Sequence, residues 1–321
     1  MSTEPGSDST VTKVLWDRDA APKRSLARRG NAQEVLRARA VMELTVTCGF
    51  AHAVASKTSA ASLVIAPDPA TVVAAIASPD RIALTMRAAR GSLESCRGTL
   101  GQLAPELPPA SVRQAVAVVG RSIAAQLHLL HSGVTVTQHD GSTATYRVAH
   151  GDVAPGNVLI DAAGHVHLAD FGCARWIVEQ GGAAADADAV PELLRFTDGG
   201  FTPHVADPRL LADGCGCEPE EPTCELCAPF RIKRIPVAPD GTCDTYALIA
   251  TLLWWAGDAL RAGNDAEFAQ LLEQLLAKKV HATELEVIFR EHASPAGEEV
   301  LVAIGTRVGC CPVAALDADS D

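Results

Sequence analysis

His150-Gly151-Asp152-Val153-Ala154-Pro155-Gly156-Asn157-Val158-Leu159-Ile160 is followed, after Asp161-Ala-Ala-Gly164 and His165-Val166-His167-Leu168-Ala169, by Asp170-Phe171-Gly172. This stretch decides how the chain is read. It holds an Asp, an Asn five residues later and a second Asp thirteen residues beyond that. Such a set suits phosphoryl transfer. Asp152 can accept or orient the proton of an attacking hydroxyl, and Asn157 and Asp170 can offer oxygen ligands to Mg²⁺ on nucleotide phosphates. The apolar runs Val158–Ile160 and His165–Ala169 around Ala163-Gly164 predict a hairpin that brings Asn157 and Asp170 together at its open end.

The pattern H-x-D-x-x-x-x-N followed by D-F-G resembles the catalytic loop and metal-binding motif of the protein-kinase superfamily. Either half is weak by itself, but both in order with strand-like residues between are specific. The resemblance implies an α+β, protein-kinase-like two-lobed fold. A small, truncated β-rich lobe would span 11–88, and a larger, mainly helical lobe would span 89–300. Residues 1–10, polar and Gly/Ser-containing, would be a disordered start, and 301–321 a tail. The resemblance also makes Asp152 the catalytic Asp, Asn157 and Asp170 the Mg²⁺ ligands and His150 a scaffold residue. Val11-Thr12-Lys13-Val14-Leu15 resembles the strand whose Lys holds the α- and β-phosphates of ATP. Glu34 is taken as its helical partner, with Glu43 on the same predicted helix. Thr85 would lie beside the adenine, and Met86 to Ala88 would offer it backbone hydrogen bonds. Thr202-Pro203-His204-Val205-Ala206-Asp207-Pro208-Arg209 has the spacing that closes a Ser/Thr-kinase activation segment, with Arg209 where that family has Glu; Thr202 would help to position Asp152. Asp244 before Thr245–Leu253 resembles the acid that ties the catalytic loop's backbone, although an acid there also suits any helix N-terminus.

Three departures stand out. Only twelve residues precede Lys13 and none forms G-x-G-x-x-G, so two strands and a phosphate-covering loop are expected to be missing. Gly151 stands where the family has Arg, which removes a cation that would order a phosphorylated segment. Ala154 stands where a loop Lys steadies the transferring phosphate, a loss worth on the order of 10²–10³ in rate. The resemblance therefore implies ATP- and Mg²⁺-dependent transfer to Ser/Thr hydroxyls of protein substrates. A small-molecule phosphotransferase of the aminoglycoside or choline type and a pseudokinase scaffold are the alternatives. The loop is also similar to those of kinases from large DNA viruses, herpesviruses among them, and actinobacteria.

The bulk numbers fit a soluble, intracellular chain, in the cytoplasm or, for a viral protein, the host cytoplasm or nucleus. Hydrophobic residues make up 48% of the 321, enough for a large core, and aromatics only 4%, so that core is built from Ala, Val and Leu. A net charge of −12 argues against nucleic-acid and anionic-membrane partners, which need a basic face. The most apolar run, Tyr246–Ala256, is too short to span a bilayer. Cys215, Cys217, Cys224 and Cys227, within an insertion at 213–228, form C-x-C-x₆-C-x₂-C. Four thiolates at that spacing can surround one structural Zn²⁺, or remain free thiols on an acidic loop.

Periodicity supplies the elements. Strands are expected at Val11–Trp16, Ser62–Ala66 and Ile82–Met86, and a helix at Ala32–Val46. Val112, Ala115, Val116, Val119, Ile123, Leu127 and Leu130 recur at helical steps from Ser111 to about His131. His128 and His131 at its end are expected on the surface. Val134–Val148 reads as a hairpin about Asp140-Gly141. Helices follow at Asp244–Gly257, Glu267–Lys279 and Glu284–His292.

Overall fold

The computed structural model describes residues 10–18, 37, 40–41, 43–48, 50, 72–78, 80–108, 110–137, 143–177, 202, 204–208, 241–263 and 265–308. These residues form a mixed α+β structure, mostly helical, with four small antiparallel sheets. No helix among them is long and apolar enough to cross a membrane.

The first sheet has the order β1 (Thr10–Asp17), β3 (Arg81–Arg87), β2 (Val72–Ala77). Along β1 the half-buried Val11, Lys13 and Leu15 alternate with the exposed Thr10, Thr12 and Val14, the period expected of a strand covered on one face. α1, the helical residues within 40–50, lies between two apolar clusters. Val41 and Leu44 join a small cluster with Trp16, Ala40 and Ile82, while Val46 and Phe50 belong to the main core.

That core is organised by α3 (Ser111–Ser132), whose heptad-like apolar residues are buried as the periodicity predicts. α2 (Leu93–Leu103), α4 (Thr242–Ala262), α5 (Ala266–Leu276), α6 (Ala282–His292) and α7 (Pro295–Arg307) complete the helices. α6 and α7 pack on α3 most closely where side chains are missing. A Cβ on Gly120 would stand 2.7 Å from the Phe289 ring, and one on Gly297 would stand 2.5 Å from the Gln114 backbone. Phe289 is fully buried in this contact, a burial that contributes about 1.5–3 kcal/mol.

β8 (Val158–Ile160) pairs with β9 (Val166–Leu168) in the expected hairpin, with Gly164 at φ 82° in its turn, and β4 (Gly91–Ser92) pairs on the other side of β8. β9 is thus an edge. Gln126 of α3, 1% exposed, closes it: its Nε2 donates to Val166 O at 2.9 Å and its Oε1 accepts from Leu168 N at 2.8 Å. The hairpin that ends at Asp170 is thereby fixed to the central helix.

Several expectations change. β2, which carries no clear period, lies outside the expected elements; so does α2, although its buried Leu93, Cys96, Leu100 and Leu103 recur at steps of three and four. The strand at Ser62–Ala66 and the Cys-rich insertion lie outside the described residues. β5 (Val134–Thr137) and β6 (Thr143–Tyr146) do pair. However, Thr137 faces Thr143, leaving 138–142 between the strands rather than a two-residue Asp140-Gly141 turn. The boundary placed at 300 cuts α7, which continues to Arg307 because Leu301 and Ile304 are fully buried.

Candidate functional site

Asp244 is the residue on which the central loop is built. It lies in the first turn of α4 and is 2% exposed. Its Oδ2 accepts from His150 N at 2.8 Å and from His131 Nε2 at 2.9 Å, and its Oδ1 accepts from Gly151 N at 2.9 Å. Burial alone would raise this carboxyl, but the His131 hydrogen bond and the loop amides hold it below the usual aspartate range. His131 is consequently not a surface residue at a helix end. It is folded inward as the partner of Asp244.

The loop after it is held by neutral contacts. His150 is fully buried; its Nδ1 accepts from Asp152 N at 3.2 Å, so its Nε2 carries the proton donated to Ala169 O at 3.0 Å. Its ring lies 5.0 Å from that of Phe171, which is 5.5 Å from Phe50. This is the scaffold role expected of His150, and it joins the loop, the Asp170 turn and α1 in one stack. Gly151 has φ 82°, and a Cβ there would stand 2.3 Å from Cys173 O, so the backbone crossing itself requires glycine. Thr251 of α4, fully buried, donates to Val153 O at 2.8 Å.

Asp152 and Asn157 form one unit. Asn157 Nδ2 donates to Asp152 O at 2.9 Å and Oδ2 at 3.0 Å, which leaves the amide oxygen of Asn157 as the atom suited to a cation. Thr202 N donates to Asp152 Oδ1 at 2.7 Å, so the 202–208 segment lies against this carboxylate. Thr202 thus meets Asp152 as expected, through its backbone; Arg209 is outside the described residues. Ala169 N donates to Asn157 O at 2.9 Å and carries the chain into Asp170.

Asp170 adopts φ 62°, ψ 79° and accepts from Gly172 N at 3.2 Å through Oδ1. Its Oδ2 lies 3.1 Å from Lys13 Nζ, which lies 2.9 Å from Glu43 Oε1. Burial would lower the Lys13 ammonium, but the Glu43 and Asp170 carboxylates raise it above its ordinary value. Burial would raise Asp170, and Lys13 holds it below. The partner of Lys13 is therefore Glu43. Glu34, assigned that place from sequence, lies outside the described residues. Glu43 is on the turn of α1 that faces the sheet, a distinction that periodicity on a helix bearing both acids did not make.

The residues expected beside an adenine are placed differently from one another. Lys13 stands opposite Leu84 and Thr12 opposite Thr85 in the β1–β3 pair. Thr85 therefore shares the exposed face of Thr12, with their hydroxyls 3.0 Å apart, and not the face of Lys13. Met86, two residues from Leu84, is on the Lys13 face. Ala88 follows the strand and is half-buried. Ala154 is buried at 3% exposure. A small cavity beside Asp152 is lined in part by Thr202, Val205 and Asp207, with no Lys or Arg among the described residues of its wall.

The donors suit Mg²⁺ brought in with a nucleotide. Asp170 and Asn157 carry hard oxygens at the open end of the β8–β9 hairpin, where Ala169 N bonds Asn157 O. Among the described residues no cluster of three or more His, Cys, Asp or Glu could cage a metal without a ligand's help. One carboxylate plus substrate phosphates is the usual Mg²⁺ arrangement. Cys215, Cys217, Cys224 and Cys227 lie outside the described residues. No protein-family model matches this chain, and no curated protein matches it in sequence.

Proposed function

We propose that this chain is an ATP- and Mg²⁺-dependent phosphotransferase of the protein-kinase type, acting on Ser or Thr hydroxyls of proteins. On this reading the β1–β3 sheet with α1 is the small lobe and the helical remainder is the large lobe. The observation that carries it is the convergence of Asp152, Asn157 and Asp170 on one side with the Lys13–Glu43 pair bonded to Asp170.

Each group has a chemical task. Asp152, its carboxylate steered by Asn157 and Thr202, orients the acceptor hydroxyl and takes its proton. Asp170 and the Asn157 amide oxygen would hold Mg²⁺, which supplies charge neutralisation on the transferring phosphate. Lys13, kept charged by Glu43, would bind the non-transferred phosphates. Thr202 N on Asp152 Oδ1, from a segment with the spacing of a Ser/Thr-kinase activation segment, supports a protein acceptor over a small alcohol.

Asp152→Asn should lower phosphate transfer by about 10²–10⁴ while nucleotide-dependent thermal stabilisation persists. Asp170→Ala should instead abolish the Mg²⁺-dependent part of that stabilisation. Equal loss of nucleotide binding in both variants would break the role assignment. Product analysis decides the acceptor: phosphotyrosine, or phosphorylated aminoglycoside or choline without phosphoprotein, overturns the Ser/Thr reading. Stabilisation by nucleotide with no transfer at all marks a pseudokinase.

A further inference from the structure

Two residues along the chain from Thr202, whose amide bonds Asp152, three elements meet at Trp254. Arg97 of α2 stacks on the indole with its guanidinium carbon 4.4 Å from the ring centre. The imidazole of His204, from the segment bonded to Asp152, lies 5.9 Å from the same ring at a 41° tilt. Thr251, one turn before Trp254, is the residue that holds the loop at Val153. The patch therefore belongs to the same rigid frame as the candidate acceptor-orienting carboxylate.

Its chemistry runs against the sign of the chain's net charge. The chain carries a net charge of −12, yet two nitrogen-rich side chains flank one half-buried indole here. Arg97 is 44% exposed, and its contact with Asp258, at 3.3 Å, uses one terminal nitrogen of a five-donor fork. Asp258 is itself 85% exposed and also faces Arg261 at 3.7 Å, so its hold on Arg97 is screened by solvent and shared. Glu94, the acid one turn earlier on α2, lies against Gly156, where its Oε2 is 3.0 Å from the place of a Cβ. A flat guanidinium fixed on an aromatic face is preorganised for a carboxylate.

Distance sets which part of a ligand the patch meets. His204 is two residues from Thr202, so its Cα lies within about 7 Å of the Thr202 Cα. An extended peptide advances about 3.3 Å per residue. We propose that Arg97, His204 and Trp254 form a specificity subsite for an acidic side chain two or three residues from the phosphorylated Ser or Thr. This rests on the protein-kinase reading above and names its substrate class: acidic peptides, with the aliphatic stem of Glu against the indole and its carboxylate on Arg97 and His204.

The test uses the full chain with Ser peptides that carry Glu, Ala or Lys two and three residues to either side of the acceptor. On one side, kcat/KM for Glu should exceed that for Lys by about fivefold, the size of an exposed charge pair. Arg97→Glu should abolish or invert that order while transfer to the Ala peptide and nucleotide-dependent melting stay as they were. His204→Ala should reduce it less. Transfer that depends on Asp152 but ignores Glu against Lys, or an Arg97→Glu loss equal for all peptides, overturns the subsite and leaves the kinase reading intact. If no peptide is phosphorylated, that reading has failed. Fluorescence polarisation of a labelled Glu peptide then decides the patch separately: binding unaffected by Arg97→Glu, or no binding, overturns it.

Discussion

The Asp152 end and the Lys13 end of the site are held in opposite ways. At the first, a buried anion, Asp244, is surrounded by two loop amides and His131, with Thr251, Gln126 and His150 adding neutral hydrogen bonds in the core. At the second, Lys13 bridges Glu43 and Asp170 with side chains 29%, 10% and 46% exposed, and the small Trp16–Ala40–Ile82 cluster backs β1 there. Buried, fully partnered polar groups fix a geometry because any displacement leaves a donor unsatisfied. Ion pairs that reach solvent, as Lys13 and Asp170 do here beside the buried Glu43, give way to water and salt at little cost. The Asp152 carboxylate is thus preset by the fold, whereas the Lys13 cation is adjustable.

Asp244→Ala is the strongest attempt to break that contrast. It leaves the amides of His150 and Gly151 buried without their acceptor and should cost about 3–5 kcal/mol in urea unfolding, with loss of any phosphate transfer. A cost below about 1 kcal/mol would show that the loop is not held from Asp244 at all.

Acid tests the Asp244 anchor next. The folded Asp244 carboxyl is depressed, so its contribution is complete above the ordinary aspartate range near pH 4 and is lost as pH falls through its lower folded value. Asp170 is depressed as well and adds in the same window. Against its burial, Lys13 is raised by Glu43 and Asp170, so its share is complete below the ordinary lysine value near 10.4 while those carboxylates are ionised; it is lost on the alkaline side as pH rises through its higher folded value, and on the acid side as they protonate. Urea midpoints of the unaltered chain should fall steeply below about pH 4, and Asp244→Asn should flatten that fall. Equal slopes in both would assign the acid sensitivity elsewhere.

The smallest effect sharpens the comparison. Lys13→Met should change unfolding free energy by less than about 1 kcal/mol, and raising salt should shrink even that. Mg²⁺-nucleotide stabilisation should nevertheless drop clearly in the same variant. A large stability loss would mean that the Lys13 bridge is structural rather than adjustable.

Legibility followed the range of the interactions. The hairpin from Val158 to Leu168 and the helices at Ser111, Thr242 and Ala282 could be read because their signals are local: alternation, three- and four-residue steps, and turn glycines. β2 was missed because Val72-Val-Ala-Ala-Ile-Ala has no alternation, and α7 because Pro295, Gly297 and Gly305 suggest a break. Gly297 in fact serves the close approach to α3. His131 read as a helix-end residue because nothing local points to Asp244, which is 113 residues away.

The sequence by itself determined the chemistry on offer: Asp152, Asn157 and Asp170 at fixed spacing, a hairpin to join two of them, and an apolar helix to carry that hairpin. Tertiary structure alone decided which acid answers Lys13, which face Thr85 takes, why residue 151 must lack a side chain, and that Arg97, His204 and Trp254 meet. The physical reason is that a turn or a period depends on neighbours in the chain. An ion pair, a strand register and a ring contact depend on elements brought together by a shared core, and no short stretch of sequence carries that distance.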